Sequence, residues 1–189
     1  MSIIRDVAIV TLFVWLSFDN WAVTYRRRTS KVENRDRYSQ ALMIGGMIVA
    51  GILVGTNLMF STLGRISSGV PLQVVGLVIM AVGIAVRVTA IRQLGRFHTP
   101  NVAILAGHQL MDTGLYRHVR HPSYLGVLID LLGFSLALGN WLSLIAIMGI
   151  LPLFYLIRIH EEETALADAL GDRYRAYCRR TRRLIPGVY

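Results

Sequence analysis

Apolar residues along the chain gather in five blocks separated by polar stretches. Each block approaches the roughly 17 to 25 residues that a helix needs to cross a bilayer. The blocks predict helices over about 4–25, 39–60, 71–91, 122–138 and 141–159. Pro71 and Pro122 suit the first turn of the third and fourth, where a missing N–H costs nothing. Gly139-Asn140 predicts a tight turn, so the last two blocks form an antiparallel hairpin. In the second block Gly51 and Gly55 fall on one helix face, which predicts close approach of another backbone. Beyond Ile159 the pattern changes. Leu166, Leu170, Tyr174 and Tyr177 recur at three- and four-residue spacing, predicting an amphipathic helix over 164–178 and then an Arg-rich tail. The expected fold class is all-α: a polytopic membrane protein with five transmembrane helices and a C-terminal helix outside the membrane. The first block lacks a basic leader and a small-residue cleavage site, so it reads as a retained span.

Residues 92–121 interrupt this regularity. A polar connection of about thirty residues exceeds most helix-to-helix links, and such loops are functional or disordered. This one is neither low-complexity nor highly charged, which favours function. The chain divides into three N-terminal spans, 1–91, and a second region, 92–189. The second comprises the loop 92–121, the hairpin 122–159, and the helix and tail 160–189.

Charge refines the topology. The chain has 189 residues, 54% of them apolar, and a formal net charge of +9. In a soluble domain such a balance points to nucleic acid. Here the basic residues lie between apolar blocks, with no basic helix or base-stacking module. They read as topology signals and contacts to anionic lipid headgroups, with no nucleic-acid partner. Sixteen Lys and Arg fall in the first loop, the 92–121 loop and the tail, against Arg5 and Arg65 on the opposite side. By the positive-inside rule the N-terminus lies outside, and the long loop and C-terminus are cytosolic. Cys178 is the single cysteine, which rules out an intrachain disulfide and a cysteine-based zinc site. His108, His118, His121 and the glutamates show no compact ligand spacing, so no metal is expected.

The chemistry concentrates in 114–126, Gly-Leu-Tyr-Arg-His-Val-Arg-His-Pro-Ser-Tyr-Leu-Gly. Two histidines, two arginines and two tyrosines beside an apolar block are costly unless they serve a function. His121 precedes Pro122 at the start of the fourth helix, where free backbone N–H groups and the positive helix end suit an anion. Arg158 and Glu162 are four apart and share a helix face. They serve a ligand, or pair with each other or with Asp130 and Arg87 to offset burial. Arg87 itself either snorkels to the interface or meets a carboxylate from another helix. Asp130, inside the fourth span, is a structural partner for Arg87 or part of a substrate path.

From about Leu94 onward the chain resembles the isoprenylcysteine carboxyl methyltransferases and their small prokaryotic relatives. The matching pieces are Leu94-Gly95-Arg96, and His108-Gln109-Leu110-Met111 followed by Gly114 and Tyr116. Next come Arg120-His121-Pro122-Ser123-Tyr124-Leu125-Gly126 and Arg158 with Glu162-Glu163 and Leu166. Gly171-Asp172 with Tyr174, Tyr177 and Pro186 completes the set. Their order and spacing are more specific than any single piece. The resemblance implies an integral membrane methyltransferase using S-adenosyl-L-methionine, with a cytosolic cofactor pocket under the last two spans. Residues 92–189 would then be the catalytic region and 92–121 its cofactor loop. The implied cofactor contacts are Asn101, His108, Gln109, Leu110, Met111, Tyr116, His121, Pro122, Ser123, Tyr124 and Glu162. Arg158 would hold the substrate carboxylate, and the implied acceptor is a prenylated cysteine or a related lipophilic molecule. The eukaryotic members are longer, with extra N-terminal spans.

The residue chemistry is compatible with those roles. Glu162 can accept from an amino group, and His121 with the helix N-terminus can meet a carboxylate. Tyr116 and Tyr124 can pack on adenine or face a sulfonium. An acceptor carboxylate is ionised at neutral pH and needs no general base, so catalysis becomes positioning. Two alternatives share the scaffold. A phospholipid amine N-methyltransferase would want a nearby base and depend less on Arg158. An NADPH-dependent enzyme is suggested by the tail, Tyr174 to Tyr189, which also resembles the end of membrane sterol reductases.

Overall fold

A computed structural model of the chain describes residues 3–27, 33–34, 39–60, 63–66, 69–97, 103–104 and 110–185. Five long helices stand where the apolar blocks predict them: α1 (Ile3–Arg27), α2 (Ser39–Phe60), α3 (Gly69–Leu94), α4 (Pro122–Ala137) and α5 (Trp141–Leu170). A short helix, α6 (Asp172–Arg180), follows. Besides helices, the described residues hold a two-residue antiparallel ladder pairing β1 (Glu33–Asn34) with β2 (Ala103–Ile104). By length and apolar composition α3 and α5 qualify as membrane spans. Only 22% of the apolar stretch of α3 and 33% of that of α5 is buried, so both present apolar surface outward. Val78 and Val82 on α3 and Ile145 and Leu153 on α5 are at least half exposed, as lipid-facing positions require. α4 and the 44–56 part of α2 are apolar but shorter.

The α5 boundary differs from the sequence expectation. Instead of ending at Ile159, with a separate helix over 164–178, α5 continues unbroken to Leu170. Residues 160–170 are rich in Glu, Ala and Leu, strong helix formers without Gly or Pro. The break falls at Gly171, whose φ of 55° lies in the region that glycine adopts most readily. The loss of hydropathy at His160 marks where the helix leaves the apolar zone, not where it ends.

Close helix packing also lies elsewhere than expected. A Cβ on Gly51 or Gly55 would meet nothing within 4 Å. The intimate pair is α3 against α4, through Gly76 and Gly83 on one and Gly126 and Gly133 on the other. A Cβ on Gly76 would lie 2.5 Å from the Ala137 nitrogen, and one on Gly126 would lie 2.6 Å from the Arg87 nitrogen. Cβ atoms on Gly83 and Gly133 would collide with the backbones of Asp130 and Met80. Each pair of glycines is seven residues apart, so two turns of each helix meet backbone to backbone.

α5 packs beside α4 and α2 beside α5, while α1 contacts α3 and α4. The shared core includes Ala8, Ala50, Met80, Leu131, Phe134, Ile147, Leu151 and Tyr155. The expected turn at Gly139-Asn140 forms. Asn140 caps α5 by accepting from Ser143 N at 3.1 Å, and its amide donates to the Leu63 carbonyl at 2.9 Å. Trp141 N donates to Gly64 O and Ile66 N to Gly139 O. The 63–66 segment is thereby stitched to the α4–α5 turn, at the opposite end of α4 from the polar cluster.

Candidate functional site

At the other end of α4 the chain enters the helix through Pro122. His121 stands at the N-cap, where its carbonyl accepts from Leu125 N at 3.1 Å. Its side chain makes no capping bond and turns toward α5. Ring nitrogen Nε2 lies 3.4 Å from Glu163 Oε1 and Nδ1 lies 3.8 Å from Glu162 Oε2. The His121 ring stacks on Tyr124, with centroids 5.6 Å apart and planes 16° from parallel. One turn into α4, the Tyr124 hydroxyl accepts from Arg158 Nε at 2.9 Å and donates to Glu162 Oε2 at 2.8 Å. A single hydroxyl thus links the guanidinium to the carboxylate. Arg158 is 3% exposed, so removing one of its partners leaves a charge that water cannot readily reach.

Glu163 anchors a second cluster. Its Oε2 accepts from Arg183 Nε at 2.9 Å. Its Oε1 is 2.8 Å from Arg120 Nε, an ion contact that lies off the N–H axis rather than a linear hydrogen bond. Glu163 lies on the polar extension of α5, beyond the apolar stretch. Burial there raises its pKa, but the His121 bond and the charges of His121, Arg120 and Arg183 outweigh burial and hold it below the ordinary 4.5. Arg120 reaches further, donating through a terminal nitrogen to the Cys178 carbonyl at 3.0 Å. A short parallel pairing joins the same strands of chain. Arg120 N donates to Arg182 O, Arg182 N to His118 O, and His121 N to Arg183 O.

Behind these groups lies the 3-10 turn Gly114–Arg117. Gly114 has φ +60° and packs on the Gln93 carboxamide, which accepts from Leu115 N at 2.9 Å. Tyr116 is buried against α3, its hydroxyl 3.4 Å from the Ala90 carbonyl, and its own carbonyl accepts from the Tyr177 hydroxyl at 2.7 Å. Burial raises the Tyr116, Tyr174 and Tyr177 phenols above their ordinary value of 10, so all three are neutral near pH 7.

The structure therefore brings together Arg158, Tyr124, Glu162 and His121 from the sequence-predicted set. Pro122 is fully buried at the helix start, and the Ser123 hydroxyl accepts from Arg87 at 3.1 Å. Arg87 thus reaches the α4 N-terminus, and Asp130, 2% exposed, lies within its electrostatic range. Tyr116 stands one layer back. Leu110 and Met111 are half-buried, and the Met111 sulfur accepts from the Thr113 hydroxyl at 3.4 Å. Asn101, His108 and Gln109 lie outside the described residues, as does Pro186. Arg120, Glu163 and Arg183 are not among the site residues that the sequence predicts. Arg120 and Glu163 sit inside recognised motifs, while Arg183 has no local signal.

Between α2 and α5 runs an apolar groove of about 650 Å³. It is lined by Ala41, Leu42, Gly45, Gly46, Val49, Ile150 and Phe154. Phe154 is one helical turn before Arg158.

The comparisons with known proteins cover this same region. The model of the isoprenylcysteine carboxyl methyltransferase family matches residues 74–168. A protein-S-isoprenylcysteine O-methyltransferase of Schizosaccharomyces pombe is 39% identical over 79 residues, 42% of this chain and 34% of that one. A probable enzyme of the same name from Oryza sativa subsp. indica is 35% identical over 116 residues, 60% of this chain and 61% of that one. The chain thus spans between about a third and three fifths of the length of these curated relatives. Among solved structures, the eukaryotic intramembrane Ras methyltransferase ICMT superposes with a TM-score of 0.61 at 25% identity. That match covers 82% of this chain and 55% of the other. The family match takes in more than half of the residues, including α4, Arg158 and both site glutamates, and on that ground the chain belongs to the isoprenylcysteine carboxyl methyltransferase family.

Proposed function

We propose that this protein is an S-adenosyl-L-methionine-dependent methyltransferase that O-methylates the carboxylate of an isoprenylcysteine-type lipophilic acceptor. The observation that carries the reading is the Arg158–Tyr124–Glu162 relay, held at one end of a helix pair in a chain of this family. The donor set suits the cofactor. Glu162 offers a carboxylate for an ammonium group, with the His121 ring beside it. Tyr124 offers an aromatic face, which attracts cations. His121, Pro122 and Ser123 form the start of α4, where backbone N–H groups favour a carboxylate. Bound S-adenosyl-L-methionine would supply an electrophilic methyl group on a sulfonium.

Arg158 then serves as the grip on the acceptor carboxylate, which is ionised at neutral pH and needs no general base. Its contribution is orientation, which can lower a barrier by several kcal/mol. The α2–α5 groove supports a lipophilic acceptor, because Phe154 carries apolar surface to within a turn of Arg158. The same reading takes α1 to α5 as five spans, with the site and the C-terminus cytosolic and 92–189 as the catalytic region. Asn101, His108, Gln109, Leu110, Met111 and Tyr116 remain cofactor contacts in this proposal.

Calorimetric titration of the detergent-purified chain with S-adenosylhomocysteine, and separately with NADPH, tests the class. Micromolar binding of the first and none of the second is expected. Binding of NADPH alone would point to the reductase chemistry of a related scaffold, and binding of neither would sink the enzymatic reading.

A further inference from the structure

Glu163 is not needed for any cofactor or acceptor contact proposed above, yet it is among the most heavily engaged carboxylates in the chain. Its side chain is 13% exposed and faces three cationic or potentially cationic groups from two other segments. Arg120 and His121 come from the approach to α4, and Arg183 comes from the tail. Burying a carboxylate this far costs free energy that its partners must offset, so the arrangement asks for a purpose. Two consequences follow from the geometry. First, His121 Nε2 points at Glu163 Oε1. The contact fixes the plane of the imidazole and aims Nδ1 at the Glu162 carboxylate, 3.8 Å away. Second, the Arg183 contact holds the tail in register with residues 118–121. The N-cap residue is thereby fixed from both its backbone and its ring.

We propose that Glu163 is a positioning residue, which orients the His121 ring and clamps Arg183 of the tail so that His121 and Glu162 are held preformed against the amino-acid end of the cofactor. This rests on the proposed function for the identity of the ligand. It assigns Glu163 no contact with substrate or cofactor. Its action is on affinity, through groups that must be held to a fraction of an ångström.

The test uses the full chain in detergent, with S-adenosylhomocysteine as the calorimetric probe and thermal unfolding followed in parallel. Glu163→Gln keeps the shape and removes the charge. It is expected to raise the Kd for S-adenosylhomocysteine about tenfold, the scale of one hydrogen bond to a charged group. The acceptor KM is expected to stay unchanged, because Arg158 and Tyr124 are untouched. Arg183→Gln is expected to give a smaller rise. The double variant should match Glu163→Gln alone rather than add the two losses, since both act through one contact. A lowered Tm with an unchanged Kd in the folded protein would reduce Glu163 to a structural brace and overturn the proposal, as would additive losses. Should Glu163→Gln fail to fold, Arg183→Gln decides the matter, because its side chain lies at the solvent edge of the cluster. An unchanged Kd there overturns the proposal. If the parent chain binds no S-adenosylhomocysteine, the proposed function fails and this inference with it. If the parent binds and the variants bind equally well, only this inference fails.

Discussion

Tyr124 places one oxygen between a buried guanidinium and a carboxylate, and it cannot be replaced without disturbing both. Tyr124→Phe keeps the ring that stacks on His121 and removes only the hydroxyl. Arg158 then loses an acceptor while staying buried. A lost hydrogen bond to a charged group costs about 1.5–3 kcal/mol, so kcat/KM is expected to fall about ten- to a hundredfold. A methyl-transfer assay on a farnesylcysteine analogue reads this directly, and wild-type activity in the variant would remove Tyr124 from the site. Arg158→Ala should go further, abolishing turnover while S-adenosylhomocysteine still binds in calorimetry. Full activity there would make the assigned grip wrong. Glu163 supplies a pH signature. Its folded pKa lies below the ordinary 4.5 despite burial, because His121, Arg120 and Arg183 favour the ionised form. A depressed carboxylate contributes stability that is present above the unfolded pKa and lost as pH falls through the folded one. Tm should therefore fall as pH is lowered below about 4.5, and Glu163→Gln should flatten that limb. An unchanged acid limb in the variant would show that its charge does not stabilise the fold.

At the scale of elements, α3 and α4 decide whether the site exists, since together they carry Arg87, His121 and Tyr124. Their contact is made by backbone, not by interdigitating side chains. Gly133→Ala would drive a methyl into the Met80 backbone, which can yield only by separating the helices. Overpacking of this kind costs about 1–3 kcal/mol and sometimes more, so a clear fall in Tm is expected, along with weaker S-adenosylhomocysteine binding. Gly51→Ala is the control, because its Cβ meets nothing within 4 Å. It should leave Tm unchanged or raise it slightly, since alanine is the better helix former. Equal losses at both positions would contradict the α3–α4 packing. The glycine contact is hard to see in sequence because its spacing is unfamiliar. Gly51 and Gly55 have the familiar four-residue spacing, while Gly76 and Gly83 are seven apart and declare themselves only opposite Gly126 and Gly133. The continuation of α5 past Ile159 is hidden for a related reason. Hydropathy reports the solvent around a helix, and helix formers such as Glu161, Ala165 and Leu166 continue α5 without regard to that change. His121 and Pro122 were legible because the proline fixes the first turn locally. Glu163 was not, because its partners come from segments far apart in sequence.

Over the whole molecule, the contacts between segments sort into two ends. The β1–β2 ladder joins the segment after α1 to the segment after α3, and the pairing of 118–121 with 182–183 joins the approach to α4 to the tail. At the opposite end, 63–66 is tied to the α4–α5 turn. These are the two groups into which the basic residues divide, with Arg65 among the few on the sparse side. In the proposed orientation the positive-inside rule puts the crowded end in the cytosol. Two exposed positions, Arg65 and Arg182, test that assignment. In a Cys178→Ser background the chain has no other cysteine. Arg65→Cys should then react with a membrane-impermeant maleimide on intact cells. Arg182→Cys should react only after the membrane is opened or in inverted vesicles. The reverse pattern would turn the protein over and contradict the proposed orientation. Labelling of both positions on intact cells would mean that the helices do not separate the two ends across a bilayer. Because 63–66 is tied by hydrogen bonds to the α4–α5 turn and 182–183 to residues 118–121, the two cysteines report on the bundle rather than on two loose loops, and one pair of labelling experiments fixes the side on which Arg158 and Glu162 work.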